Sequence, residues 1–231
     1  MTSIKKTSFD FEKGEIILVD KPLRWTSFDV VNKIRYATRI KKVGHAGTLD
    51  PLATGLLIIC VGKAATKQID TFLNDDKEYT GVFTLGATRP SYDMETEIDQ
   101  HFDFSSITEA QIQQAAQQLT GTIEQTPPMY SAIKVDGKRL YESARKGVEI
   151  EVQSRPVTIF EFEITQIALP NVHFRIKCSK GTYIRTMAHD FGKLLNNGAY
   201  LSELRRTKSG NFSIDDAWNL DELVSTINNK Q

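Results

Sequence analysis

The chain has 231 residues, 40% hydrophobic and 25% charged, and its 29 basic and 29 acidic residues cancel, which suits a globular protein of one or two domains with a sizeable core. It contains no apolar run of about eighteen residues, the length a membrane helix needs, and its start, MTSIKKTSFDFEKGE, lacks the apolar stretch of a signal peptide, so a cytoplasmic protein without a membrane partner is expected. Cys60 and Cys178 lie far apart in apolar runs, which favours buried free thiols over a disulfide framework or a zinc cluster.

In chain order, Glu15 to Val19 (EIILV) reads as a strand, followed by the Lys21-Pro22 turn and a helix opening at Thr26 or Ser27, with Val30, Val31, Ile34 and Ala37 on one apolar face. A loop spans Lys41 to Gly55. Leu56 to Val61 (LLIICV) is an uninterrupted apolar run suited to a strand buried on both faces, and Ala64 to Leu73 resumes a helical period. Lys77 to Leu85 is a strand. Thr108 with Gln111 has capping-box spacing and starts a helix that ends at Leu119. Ser154 to Ile167 and Val172 to Ser179 are long strands paired through a turn at Leu169-Pro170-Asn171. A helix over Tyr183 to Leu195, closed by Asn196-Asn197-Gly198, and a short one over Leu220 to Ile227 complete a mixed α and β pattern without repeats or low-complexity tracts.

The charges are unevenly placed. Lys21 to Lys42 holds seven basic residues and one acid, Asp29, and Arg175 to Gly210 holds eight basic and two acidic ones. Ser91 to Ile133 holds seven acids and no Lys or Arg. A fold that gathers the basic segments on one face attracts phosphates by counterion release, whereas solvated surface is the ordinary fate of such stretches.

The segment KKVGHAGTLDPLATG places Asp50 among Gly44, Gly47 and Gly55, immediately before Pro51 and five residues after His45. The glycines permit close approach or positive φ, and Pro51 restricts the residue before it, so Asp50 is held in a shaped turn. From these residues alone Asp50 is either a catalytic carboxylate or a turn-starting Asp-Pro.

Together with this segment, GEIILVDKPLRWTSFDVVNKIR, KEYTGVFTLGATRPSYDMETE, QTPPMYSAIKVDGKRLYESARKG, CSKGTYIRTMAHDFGKLL and LSELRRTKSGNF resemble the TruB family over nearly the whole chain and in the family's order. The resemblance implies an α+β pseudouridine synthase fold, a mixed and largely antiparallel sheet flanked by helices with an active-site cleft across it. It implies isomerisation of uridine 55 in the T loop of tRNA to pseudouridine, with the T arm as partner, no cofactor or metal, no protein partner, and a monomer. By the same resemblance Asp50 is the nucleophile, adding to C6 of the ring or attacking C1′, both routes staying open. Arg185 in GTYIRTMAHD pairs with it and keeps it ionised; an arginine on phosphate is the other reading of that residue. Tyr79 in KEYTG stacks on the flipped base and accepts the C5 proton, or is a core tyrosine.

Among the substrate-binding residues the resemblance implies, His45 fills the space the base vacates and Lys21, in VDKP, supports the catalytic loop. Tyr183 lines the pocket and Leu204 with Arg205 and Arg206 flanks it near phosphates; plain strand packing is the alternative for these. Arg24 stands where the family's KPxG has glycine, so the turn must tolerate a Cβ. The sequence ends thirteen residues after NFSIDDAW, which gives the expectation of a single catalytic domain over residues 1–231 without the small C-terminal PUA domain of many relatives. A tRNA chaperone and a base-excising glycosidase are the competing functions; the second is disfavoured because no water-activating carboxylate accompanies Asp50 in its motif.

Overall fold

In a computed structural model of the chain, which describes residues 8–131, 134–135, 138–140, 148 and 150–229, β1 (Glu15–Lys21) leads into α1 (Ser27–Thr38), β2 (Val43–Ala46), β3 (Ala53–Val61), α2 (Lys63–Thr66), α3 (Ile69–Leu73) and β4 (Lys77–Leu85). Then follow β5 (Ala87–Thr88), β6 (Gln100–His101), α4 (Glu109–Gln118), β7 (Gly121–Gln125), β8 (Lys134–Val135), β9 (Lys138–Arg139), β10 (Arg155–Ala168) and β11 (Asn171–Cys178). The chain closes with α5 (Ile184–Leu194), β12 (Ala199–Ser209), β13 (Phe212–Ser213), β14 (Trp218–Asn219) and α6 (Leu220–Asn228). Two compact units result, Met1–Thr80 with Leu204–Gln231, and Gly81–Glu203, so β4 and β12 each contribute to both. Part of the QTPPMYSAIKVDGKRLYESARKG motif lies outside the described residues.

In the first unit the strands run in the order β14-β1-β3-β12-β4, with β2 also on β3 and β13 on β12. β1 and β2 pair antiparallel with β3, whereas β12 pairs parallel to it at Leu204–Ala53, Arg205–Thr54 and Arg206–Gly55. β3 is buried on both faces, as its apolar run predicts. Leu57, Ile59 and Val61 join Ile17, Val19, Val30, Val31, Ile34, Leu220 and Leu223 in one core. Ile58 and Cys60 enter a second cluster with Ala46 and Ala65. Each such aliphatic contributes about 1.5–3 kcal/mol by leaving water, so truncating Leu57 to Ala costs roughly 2–5 kcal/mol.

α1 starts where its cap chemistry requires. Asp29 N–H donates to Thr26 Oγ1 at 3.0 Å and the Asp29 carboxylate accepts from Thr26 N–H at 2.9 Å, a reciprocal box that stops the helix from starting earlier. The helical period of Ala64–Leu73 splits into α2 and α3. Thr66 Oγ1 donates back to the Gly62 carbonyl at 3.0 Å and Gln68 Nε2 to that of Ala64 at 3.4 Å, competing with the backbone ladder at the break.

The second unit runs β12-β4-β11-β10-β7. β10 and β11 form the long antiparallel pair expected, with register shifts at Ile159/Glu161 and Ile164/Gln166. Phe83 packs its ring on Phe174 at 4.3 Å and Phe191 at 5.5 Å, and Phe162 meets all three, so aromatic contacts fasten α5 to the sheet. α4 is capped by Thr108 and Gln111 as its spacing predicts. Cys60 and Cys178 are buried and not joined in a disulfide, and burial pushes the Cys60 thiol up to about 11, leaving it inert.

Candidate active site

The predicted loop over Lys41 to Gly55 is shorter than its composition suggests, because Val43–Ala46 pairs with β3, with His45 opposite Ile59. What remains is a tight turn from Gly47 to Leu52 carrying Asp50, braced from several directions. The Asp50 carbonyl accepts from Ala53 N–H at 3.0 Å. Leu49 N–H donates to Ser27 Oγ at 2.9 Å while Ser27 Oγ donates to the Leu49 carbonyl at 3.1 Å, tying the turn to the first residue of α1. The Pro51 carbonyl accepts from Arg24 N–H at 2.7 Å. Gly47, at φ 81°, occupies the left-handed region that glycine adopts without strain.

Two fully buried cations support this turn from within the protein. Lys21, with no exposed surface, donates through Nζ to the carbonyls of Trp25 at 2.6 Å, Pro22 at 3.0 Å and Pro51 at 3.4 Å. Burial pushes its pKa down to about 8, and the carboxylate of Asp50 is the strongest of the charges that oppose the fall. Lys21 and Asp50 are therefore electrostatic neighbours, and Lys21 is bonded to the turn through Pro51. Arg206, 1% exposed, donates through Nε to the Leu56 carbonyl at 2.7 Å and through Nη2 to the Gly47 carbonyl at 3.1 Å, spanning both ends of the turn. A Cβ on Gly55, at φ 101°, would collide with the Arg206 backbone, so this glycine permits the parallel approach of β12 to β3.

His45 is half-buried, with an Nδ1 that is enclosed and lacks a hydrogen-bond partner. Burial and the Arg206 cation lower its pKa, so the imidazole is neutral at physiological pH. Leu204 lies beside Ala53 on β12, and its carbonyl accepts from Thr54 Oγ1 at 3.4 Å. Arg205 forms a bidentate pair with Asp20, at 3.0 and 2.7 Å, so a phosphate must compete with that carboxylate. Tyr79 is half-buried on β4, next to Glu78, whose carboxylate accepts from Thr207 Oγ1 at 2.8 Å and pairs with Lys208 at 3.3 Å.

In the second unit, Tyr183 caps α5 and is gripped by Gln125, whose Oε1 accepts from Tyr183 N–H at 2.7 Å and whose Nε2 donates to its carbonyl at 3.1 Å. The Arg155 guanidinium lies 5.4 Å from the Tyr183 ring centroid. Arg185, 4% exposed in the first turn of α5, donates through Nη1 to the Tyr130 carbonyl at 2.9 Å and stands 3.6 Å from the Asp93 carboxylate.

Sequence reasoning passed over Asp93, and placed Arg206 beside phosphates where the structure buries it under the turn. Adjacent residues of a strand point to opposite faces, so in Leu204-Arg205-Arg206 one guanidinium had to turn inward; that alternation was the available signal for Arg206. Asp93 sits in the acidic stretch with nothing in its neighbours to mark it as buried.

A large mixed sheet flanked by helices, as here, is the framework of the pseudouridine synthases. The chain belongs to the TruB family: the pattern of the TruB family pseudouridylate synthase N-terminal domain matches residues 35–184 and that of the tRNA pseudouridylate synthase B C-terminal domain matches residues 185–231. It is 55% identical to tRNA pseudouridine synthase B of Flavobacterium johnsoniae over 91% of this chain and 95% of the relative. With the protein of the same name from Phocaeicola vulgatus it shares 47% identity over 96% and 97%. Among solved structures, a chain of the Cbf5-Nop10-Gar1 complex is similar at 31% identity and a TM-score of 0.73 over 93% of this chain, which spans 54% of that chain's length.

Proposed function

We propose that the protein is a tRNA pseudouridine synthase that isomerises uridine 55 of the T loop, working in the cytoplasm where its substrate is found, with Asp50 as nucleophile. The reaction breaks the N1–C1′ bond, turns the base, and forms a C5–C1′ bond; C5 loses a proton and N1 gains one. Asp50 supplies the carboxylate for covalent attack. The observation that carries this reading is the bracing of its turn by Lys21, Arg24, Ser27 and Arg206, which fixes the backbone around the carboxylate before substrate arrives.

By family resemblance Arg185 is the cationic partner assigned to Asp50, and its guanidinium is held by Tyr130 and Asp93. Tyr79 stacks on the extruded base and takes the C5 proton, and neutral His45 fills the space the base leaves. Tyr183 lines the pocket, with Leu204 and Arg205 beside it.

The test is incubation of the protein with an unmodified tRNA transcript, followed by position-resolved mapping of pseudouridine. Product confined to position 55 is expected, and Asp50→Asn should bind tRNA yet form none. Appreciable turnover by that variant removes Asp50 from the chemistry.

A further inference from the structure

We infer that the outer face of α1 is an RNA-docking surface that holds a segment of the tRNA backbone and its exposed bases beyond the nucleotide at Asp50, an inference that rests on the proposed tRNA reading. The helix buries Ser27, Val30, Val31, Ile34, Ala37 and Thr38 on one side. At 100° per residue the opposite side carries Phe28, Asp29, Asn32, Lys33, Arg35, Tyr36 and, at the C-cap, Arg39. Phe28 is 59% exposed and Tyr36 83%, and Leu23 just before the helix is 54% exposed. Large exposed rings are unusual on a helix that has enough apolar residues to fill its buried side.

The rings are set among cations. Arg35 lies 5.8 Å from the Phe28 ring centroid and donates to the Asn32 side chain at 2.5 Å, which holds the guanidinium over the ring. Lys33, Arg39, Lys41 and Lys42 are exposed around them, as is Arg24 at the other end. The one acid between Lys21 and Lys42 is Asp29, whose carboxylate is committed to the Thr26 cap and held below the ordinary carboxylate range by those bonds. With the ionised Asp29 counted, the helix and its flanks still carry six exposed or half-buried basic residues (Arg24, Lys33, Arg35, Arg39, Lys41 and Lys42) against one acid within this span.

Charge selects the occupant. Two copies of this face meeting about a two-fold axis would bring like charges together, and stable protein interfaces are depleted of charge at their centre. An anionic strand with unstacked bases matches both components: phosphates meet the cations and base faces meet the rings. Position supports the same occupant. The first residue of α1 is bonded to the Asp50 turn through Ser27 and Leu49, and the helix runs from there for about 18 Å. RNA whose base reaches Asp50 therefore has its neighbouring backbone within reach of this face.

Two surface variants of the full chain test the inference: Phe28→Ala with Tyr36→Ala, and Lys33→Gln with Arg39→Gln. Affinity for an unmodified tRNA transcript is read by fluorescence anisotropy across a salt series, together with kcat and KM for pseudouridine formation. Each pair is expected to raise Kd and KM by about tenfold with kcat unchanged, and the charge pair should also flatten the log–log salt slope by about 1.4. Wild-type affinity, slope and KM in both variants overturn the inference and leave the catalytic reading standing. A wild-type protein that forms no pseudouridine, with variants that still weaken tRNA binding, overturns the catalytic reading instead. Unchanged tRNA affinity, together with loss of a wild-type dimer in the aromatic pair by sedimentation, assigns the face to protein contact and also overturns the inference.

Discussion

The backbone N–H of Arg24 donates to the carbonyl oxygen of Pro51 at 2.7 Å, and it does so from the left-handed region, at φ 66°. The position where the family's KPxG turn has glycine thus carries a Cβ and keeps the conformation that glycine would adopt. The bond explains why, since a return to ordinary φ would swing this N–H away from the residue that follows Asp50. Left-handed backbone costs a side-chain-bearing residue roughly 1–2 kcal/mol, and glycine's extra unfolded freedom offsets about 0.5–1 kcal/mol of what its introduction would gain. Arg24→Gly is accordingly expected to stabilise the protein by about 0.5 kcal/mol, or about 1–2 °C in Tm. A lower melting temperature by calorimetry would show that the arginine side chain makes a contribution larger than its backbone strain.

Arg206 allows a sharper test, because its guanidinium spans two carbonyls that a shorter or neutral side chain cannot both reach. Arg206→Gln should destabilise by about 3 kcal/mol, since buried acceptors at Gly47 and Leu56 lose their donors. A second readout separates its charge from its packing. The cation is one of the two causes that lower the His45 pKa, so the variant should move that imidazole back toward 6.5 in an NMR titration. An unmoved His45 would mean that burial alone sets its protonation.

Lys21 gives a pH dependence whose sign follows from burial. In the unfolded chain its ammonium keeps its proton up to about 10.5, whereas in the fold it loses it near 8, so between those values the unfolded state binds more protons. Stability from this group therefore rises with pH across that window. Urea titrations of the wild type and Lys21→Met should diverge in favour of the wild type by about 2 kcal/mol between pH 8 and pH 9.5. Parallel profiles would place the Lys21 pKa outside this range.

Local chemistry was the legible part of this chain. The caps at Thr26 and Thr108 fixed two helix starts because each box is written within four residues, and the apolar run of β3 announced burial on both faces. β12 was not legible. Its sequence, AYLSELRRTKS, mixes charge with apolar residues, and its parallel partners at Ala53 to Gly55 lie some 150 residues away, so nothing local specifies the pairing. β2 was hidden for another reason: Gly44 and His45 are weak strand formers, and only their pairing with β3 orders them. The same division holds at the site. Asp50, Lys21 and the unusual Arg24 were visible in short motifs, but the inward turn of Arg206 depends on that distant strand.

The second unit contains a titration of its own that does not involve the proposed chemistry. His189 on α5 stacks on Tyr92 with ring centroids 4.0 Å apart and planes within 13°. Burial, reinforced by Lys193 and opposed by Asp99, pushes its pKa down to about 4. The unfolded chain takes up a proton near 6.5, so between that value and 4 it binds more protons than the fold, and stability falls as pH drops through this window. Asp190, whose carboxyl burial pushes up, works the other way at the acid end, because there the fold binds the extra proton. The net loss attributable to His189 should be about 2 kcal/mol by pH 4.5. His189→Phe keeps a ring on Tyr92 and removes the titration, so it should flatten the acid limb of the unfolding profile while leaving stability at pH 8 within about 1 kcal/mol of wild type. An acid limb of wild-type slope in this variant would assign the loss to carboxylates instead.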